Sequence, residues 1–185
     1  MEFTGKVAIV TGGGSGIGEI IAQVFAREGA DIVVGDVNLA SAEKVIEEIA
    51  RTGKKGMAVK MDVSLKVDVD RLADETLRAF GKIDILINNA GITQLPLSIL
   101  DLDLETWQRV TDIDYKGTYL CSRRIGREMI RQKSGSIINI SSMAGVRAVP
   151  RLVAYSAAKS GVIALSQAIA KENDQTGLQC ITVCP

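Results

Sequence analysis

The run Val7-Ala8-Ile9-Val10-Thr11-Gly12-Gly13-Gly14-Ser15-Gly16-Ile17-Gly18 decides how this chain folds. Its first five residues are an almost continuous apolar, β-branched run, the pattern of a strand covered on both faces. Five glycines in the next seven positions remove side chains where backbone must come close to something. Beyond the turn, Ile17, Ile20, Ile21, Val24 and Phe25 recur at helical spacing. A glycine turn that opens a helix gathers unpaired amides at the positive end of the helix dipole, which suits a phosphate. The glycine spacing is T-G-x-x-x-G-x-G rather than G-x-G-x-x-G, and such a loop alone is also compatible with a tight turn or a mobile lid. Its surroundings therefore carry the argument.

Outward from this turn, strand-like runs alternate with amphipathic ones. Strands are predicted at Val7–Thr11, Asp31–Asp36, Gly56–Met61, Ile83–Asn88, Ser136–Ser141 and Leu178–Val183. Helices are predicted at Gly16–Glu28, Ala40–Thr52, Leu65–Phe80, Leu104–Gln132 and Ala154–Gln175, and Ile92–Asp101 reads as an irregular loop. Alternation of this kind implies βαβ units with right-handed crossovers. The expected fold class is α/β: a Rossmann-like, doubly wound parallel sheet with helices on both faces, three layers α/β/α, in one domain over residues 1–185. The second strand ends in Asp36, 18 residues after Gly18. A carboxylate there accepts hydrogen bonds from an adenosine ribose and repels a 2′-phosphate. No Lys or Arg lies within Gly12–Gly18 or at positions 37–38 to neutralise one, so NAD is expected over NADP. The alternative is a solvated aspartate that only ends a strand.

The bulk composition narrows the function. Among 185 residues, 22 are Lys or Arg and 22 are Asp or Glu, a balance that sets up no field to draw nucleic acid or an anionic membrane. The chain has no histidine, which excludes a Ser-His-Asp triad, a His-ligated metal and a His base within it. Acid–base work near neutral pH is left to Asp, Glu, Cys, or a Tyr or Lys; no metal site is read. Cys121, Cys180 and Cys184 lack a disulfide-framework spacing, and Cys180 and Cys184 read as buried thiols in an apolar strand. No window approaches the ~18 apolar residues of a membrane span, and no signal-peptide layout is present, so a soluble cytoplasmic protein is expected.

Ordered matches along the whole chain resemble the short-chain dehydrogenase/reductase family, including its 3-oxoacyl-acyl-carrier-protein reductase-like and polyol or sugar dehydrogenase-like members. They are the glycine motif Gly12–Gly18, Asp62-Val63 after the third strand, Asn88-Asn89-Ala90-Gly91 ending the fourth, Ser141-Ser142 ending the fifth, and Tyr155-Ser156-Ala157-Ala158-Lys159, with Ser142 thirteen residues before Tyr155. The resemblance implies hydride transfer between a nicotinamide cofactor and a secondary alcohol or ketone. It implies Tyr155 as general acid/base with Lys159 and Ser142 beside it. It also implies a cofactor site built from Gly12, Gly14, Ser15, Gly16, Ile17, Gly18, Asp36, Val37, Asp62, Val63, Asn89, Ala90, Gly91, Tyr155, Lys159 and Pro185. The chemistry suits the spacing. A free phenol, with a pKa of about 10, is a poor base at neutral pH. An ammonium one helical turn away, at i+4, stabilises the phenolate. Lys159, by resemblance, also holds the nicotinamide ribose, and Ser142 the substrate oxygen.

Two positions depart from the family pattern. Asp114 stands where an asparagine is usual, a residue whose main-chain carbonyl is thought to hold a water that relays protons to the lysine. A main-chain role survives the change, and a carboxylate there bears on Lys159 directly. Asp114→Asn is therefore expected to keep or raise activity. The chain ends at Val183-Cys184-Pro185, within the family's Pro-Gly motif, so the C-terminal part is expected to be missing and the sixth strand to form an exposed apolar edge. Ile92–Pro96 and Met143–Leu152 are the candidate substrate segments, with Arg147 and Arg151 either meeting an anionic group or solvated. Small residues on the last helix, Ala157, Ala158, Gly161, Ala164 and Ala168, permit either close packing within the chain or the homodimer or homotetramer that the resemblance implies. The competing functional reading is a dinucleotide-binding sensor or scaffold without turnover, or an inactive fragment.

Overall fold

Strands whose side chains are apolar on both faces pair in parallel, because helices must then cover each face. The computed structural model describes residues 2–185 and has among them six strands: β1 (Val7–Thr11), β2 (Asp31–Asp36), β3 (Gly56–Lys60), β4 (Ile85–Asn88), β5 (Gly135–Ile140) and β6 (Leu178–Val183). They form one sheet in the order β3-β2-β1-β4-β5-β6, with every neighbouring pair parallel. Every residue of β1 and of β4 is buried. The chain winds from β1 out to β3, then returns past β1 to β4. That reversal opens a crevice at the C-terminal ends of β1 and β4, where open α/β sheets bind their ligands.

Alternate side chains of each strand feed two cores. On one face, Val10, Ile32, Val34 and Ile87 meet Ala22 and Ala26 of α1 (Gly16–Arg27) and Val45 and Ile49 of α2 (Leu39–Ala50). On the other, Ile9, Val33, Leu86 and Ile137 meet Leu72 of α3 (Lys66–Phe80) and Ile125 and Met129 of α5 (Thr118–Gln132). α4 (Leu104–Val110) places Val110 against Ala154 and Ala158 of α7 (Val153–Glu172). Each fully buried aliphatic side chain contributes roughly 1.5–3 kcal/mol against an exposed reference. The α1/α2 side of β5 and β6 has no helix over it among the described residues. Ile181 is 56% and Val183 42% exposed there, so β6 is an exposed apolar edge.

The structure differs from the sequence reading in two elements that bear on the site. The stretch Leu104–Gln132 is not one α-helix, because Thr111–Gly117 between α4 and α5 is π-helical. Gly117 presses on Val63 so closely that a Cβ would lie 2.7 Å from its Cγ2. Thr111, Asp112, Ile113 and Asp114 are all weak helix formers that give up α geometry at low cost. Single π turns of this kind occur often at functional sites, and this one buries Asp114 completely. The second difference is α6 (Met143–Val146), one turn within the candidate substrate segment Met143–Leu152, where the sequence predicts no element; it is too short to leave a periodic signal. Strand and helix ends otherwise shift by one to three residues, the usual range for element boundaries.

Candidate active site

The glycine turn is folded against the end of β4. Gly12 has a left-handed φ of +61°, and a Cβ there would lie 2.8 Å from the Cα of Ala90. Asn89 donates from Nδ2 to the carbonyls of Thr11 (3.1 Å) and Gly12 (2.9 Å). The amides of Asn89 and Ala90 both donate to the Thr11 hydroxyl, at 3.1 and 3.2 Å. Thr11 thus ties the two strand ends together, a role that its place at the end of an apolar run did not signal. Ser15 begins α1 in an extended conformation and makes no side-chain cap bond, and the first amides of a helix have no intrahelical partner.

Gly12, Ser15 and Ile17 line a cleft of about 1260 Å³, which continues past Asp36, Val37, Asp62 and Val63 on one side and Asn89, Ala90 and Gly91 on the other. Gly14, Gly16 and Gly18 do not line it. The Gly14 amide donates to Asp36 Oδ2 at 2.9 Å, and Gly18 lies behind the turn against the Gly12 carbonyl and the Asn89 amide group. Gly16 supplies the left-handed φ of +58° that starts α1. These three shape the turn. The Asp36 carboxylate also accepts the Asn38 amide on Oδ1 at 2.9 Å, so backbone fixes both of its oxygens at the cleft wall. Asp62 accepts the Ser64 amide and hydroxyl on Oδ1, at 2.8 and 2.7 Å.

Past Ile17, Asn89, Gly91 and Ile92 the cleft passes into a recess of about 290 Å³, lined by Asp114, Ser142, Tyr155, Lys159 and Pro185. Six separate segments of the chain therefore meet there. Lys159 is 4% exposed and donates to the Ile140 carbonyl at 3.0 Å. Its ammonium also lies 5.7 Å from the centre of the Tyr155 ring and 3.2 Å from Asp114 Oδ2. Asp114 Oδ1 accepts the Ile92 amide at 2.8 Å. Burial pushes the Asp114 carboxyl above its ordinary value, and the Lys159 charge and the Ile92 amide pull it only part of the way back. Ser142 caps α6 by accepting the Ala144 amide at 3.2 Å, an arrangement that uses its oxygen and leaves its hydroxyl hydrogen to donate.

The start of α7 is held by a residue with no sequence signal. Gln94, 4% exposed, lies in the irregular loop after β4 and accepts the Tyr155 amide on Oε1 at 3.1 Å. The same loop donates its Leu97 amide to the carbonyl of Arg151, whose φ is +69°. Arg147 and Arg151 are both exposed. Burial pushes the Cys121 thiol to about 12 and the Cys180 thiol to about 11, which makes both unreactive at neutral pH. Cys184, expected to be buried, is instead half-buried, because it lies just past the end of an edge strand. No group of three or more His, Cys, Asp and Glu that could hold a metal ion is present among the described residues.

The family model for short chain dehydrogenases matches residues 6–185. The chain belongs to the short-chain dehydrogenase/reductase family. A 3-oxoacyl-[acyl-carrier-protein] reductase of Synechocystis is 41% identical over 184 residues, covering 99% of this chain and 74% of that protein. The 3beta-hydroxysteroid dehydrogenase 2 of Eggerthella lenta is 36% identical, over 99% of this chain and 71% of its own. The crystal structure of NAD+-bound xylitol dehydrogenase superposes with a TM-score of 0.98 at 33% identity, over all of this chain and 71% of that one. As a short-chain dehydrogenase/reductase, the chain is a nicotinamide-dependent oxidoreductase that acts on CH–OH or keto groups of small molecules.

Proposed function

We propose that this short-chain dehydrogenase/reductase oxidises a secondary alcohol or reduces its ketone with Tyr155 as general acid/base and NAD as the preferred cofactor. The observation that carries the reading is the continuity of the two cavities. Ser142, Tyr155 and Lys159 surround a recess that opens directly into the cleft beneath the glycine turn.

A dinucleotide fits the residues present. The free amides at the start of α1 and the Ser15 hydroxyl suit a pyrophosphate. The fixed Asp36 carboxylate suits ribose hydroxyls and disfavours a 2′-phosphate. Asp62, Val63 and Val37, which line the cleft, would hold the adenine end, and Pro185 and Lys159, which line the recess, the nicotinamide end. When bound, the nicotinamide supplies the hydride acceptor or donor.

The residues do the rest. The Ser142 hydroxyl donates to the substrate oxygen and orients it. Tyr155 takes the hydroxyl proton as the C–H bond breaks, and returns it in the reductive direction. Lys159 has three N–H donors. One goes to the Ile140 carbonyl, and the ammonium meets Asp114 through charge, which leaves donors free for the cofactor ribose. Its ammonium beside the ring favours the phenolate. Positioned acid–base catalysis of this kind contributes about 10²–10⁴-fold in rate.

The partner is a small-molecule alcohol or ketone held between Ile92–Pro96 and Met143–Leu152. Two features support a homodimer or homotetramer built on α5 and α7. Ala157, Ala164 and Ala168 form an exposed stripe of small residues on α7. Beside it Tyr119 and Ile130 of α5 are 44% and 39% exposed. Gly161, by contrast, packs within the chain against the Tyr115 ring. We place the protein in the cytoplasm on the absence of any helix, among the described residues, long and apolar enough to cross a membrane, together with its balanced charge.

A panel of secondary alcohols with NAD, and of the matching ketones with NADH, followed by nicotinamide absorbance, tests the proposal. Turnover of at least one substrate class is expected. Tight NADH binding with no turnover across the panel would instead favour a dinucleotide sensor.

A further inference from the structure

We infer that the Asp114 carboxylate is a positioning residue that, by facing Lys159 inside the recess, sets the pH at which Tyr155 becomes a base. The inference rests on the proposed role of Tyr155 and assigns a function to the one charged side chain of the recess that this role does not use.

The geometry singles out Asp114. It is 0% exposed, and the π-helical turn Thr111–Gly117 carries it inward. Oδ1 is held by the Ile92 amide, while Oδ2 is buried with no directed hydrogen bond among the described residues and faces the Lys159 ammonium at 3.2 Å. The contact is therefore one of charge, in a place with little water to screen it. The backbone above it closes the pair in, since a Cβ on Gly91 would lie 2.9 Å from Asp114 Oδ2 and 3.2 Å from Lys159 Nζ. The Asp114 main-chain carbonyl, meanwhile, accepts the Thr118 hydroxyl at 2.8 Å. The side chain is thus the part of Asp114 aimed at the reacting groups.

Among the described residues, the recess lining holds two charged side chains, Asp114 and Lys159. From α7 the facing groups are Lys159 and, 5.7 Å beyond its ammonium, the Tyr155 ring. From the end of β4 only backbone faces it, at Gly91 and Ile92, and from β5 only the Ile140 carbonyl, which binds Lys159. On the π-helical segment itself, Asp112 pairs with Lys116 at 2.6 Å, with both side chains partly in solvent. After β3, Asp62 is occupied by Ser64. The Asp114 carboxylate and the Lys159 ammonium are thus the charged side chains that share the recess with the Tyr155 phenol. The ammonium favours the phenolate, and the carboxylate partly cancels it. An asparagine at position 114 would keep the Ile92 hydrogen bond and remove the cancellation.

Ultraviolet difference titration of tyrosinate on the full chain, with and without added NAD, tests this, with Tyr155→Phe subtracted to isolate Tyr155 from Tyr115 and Tyr119. In Asp114→Asn the Tyr155 midpoint is expected to fall by ~1 pH unit relative to the parent, since a unit charge is removed 3.2 Å from the Lys159 ammonium that lies beside the Tyr155 ring, in a poorly screened interior. An unchanged or higher midpoint overturns the inference. If Asp114→Asn does not fold, Asp114→Ser removes the same charge at smaller volume and is held to the same expectation. If neither folds, the carboxylate is required by the fold and the inference is also overturned. The outcome is separable from the catalytic proposal. A lowered midpoint with full turnover in Tyr155→Phe would leave the electrostatic role standing and remove the catalytic one. An unchanged midpoint with turnover abolished in Tyr155→Phe would do the reverse.

Discussion

At the scale of a single residue, Asp36 carries the proposed preference for NAD over NADP. Both of its oxygens are occupied by backbone amides, from Gly14 and Asn38, so the carboxylate cannot swing away from a ligand at the cleft wall. Hydrogen bonds to a charged acceptor are worth about 1.5–3 kcal/mol each, which is enough to hold it there. A ribose hydroxyl can donate to such a group, whereas a 2′-phosphate brings a second negative charge against it. Fluorescence titration of the parent is expected to give NADH binding at least about 10-fold tighter than NADPH, and Asp36→Ala is expected to erase most of that difference. Tighter NADPH binding by the parent would contradict this reading. The proposed preference rests on local facts that the sequence shows, the residue's position at a strand end and the lack of nearby Lys or Arg. Gln94 was not legible, because its bond to the Tyr155 amide joins residues that only the tertiary fold brings together.

Among the elements, β4 carries both the sheet's stability and one wall of the site. Asp84, just before it, accepts the Val7 amide on Oδ2 at 2.9 Å and pairs with Lys6 and Lys82. Burial pushes its carboxyl up. The Lys82 hydrogen bond, the Val7 amide and the charges of Lys82 and Lys6 outweigh that and hold it below the ordinary value of 3.8. A carboxyl depressed in the folded state adds stability that is fully present above its unfolded value and is lost as pH falls through its folded value. Lys6 and Lys82 are 44% and 42% exposed, so water and salt screen those pairs, and the bond to the Val7 amide carries most of the effect. Asp84→Ala is expected to cost about 1–3 kcal/mol in urea unfolding at pH 7, and the difference from the parent should shrink below about pH 4. A constant difference across that range would place its origin elsewhere. The strands were readable from sequence because buried parallel strands leave continuous apolar runs, as in Val7–Thr11 and Asp31–Asp36. The π turn at Thr111–Gly117 was not. It coincides with the close approach of Gly117 to Val63, more than fifty residues away, and its apolar periodicity merges with that of the helices on either side.

At the scale of the whole molecule, the doubly wound topology joins cofactor and chemistry. The reversal of strand order between β1 and β4 puts the glycine turn, the Asn89-Ala90-Gly91 backbone and the Ser142–Tyr155–Lys159 set around one continuous crevice. The motifs announced each wall separately, and the sheet order explains why they meet. The pairing of Asp114 with Lys159 needed the structure, because the position was visible as a departure from the family pattern but its burial and its 3.2 Å approach were not. The central claim is that this crevice runs hydride chemistry through Tyr155. The measurement that tests it most directly is the rate of NADH formation by Tyr155→Phe with a secondary alcohol that the parent oxidises, alongside its affinity for NADH. A loss of about 100-fold or more in kcat with NADH affinity kept within about threefold is the predicted result, since the substitution removes only the phenolic hydroxyl. A variant that turns over as fast as the parent would contradict it.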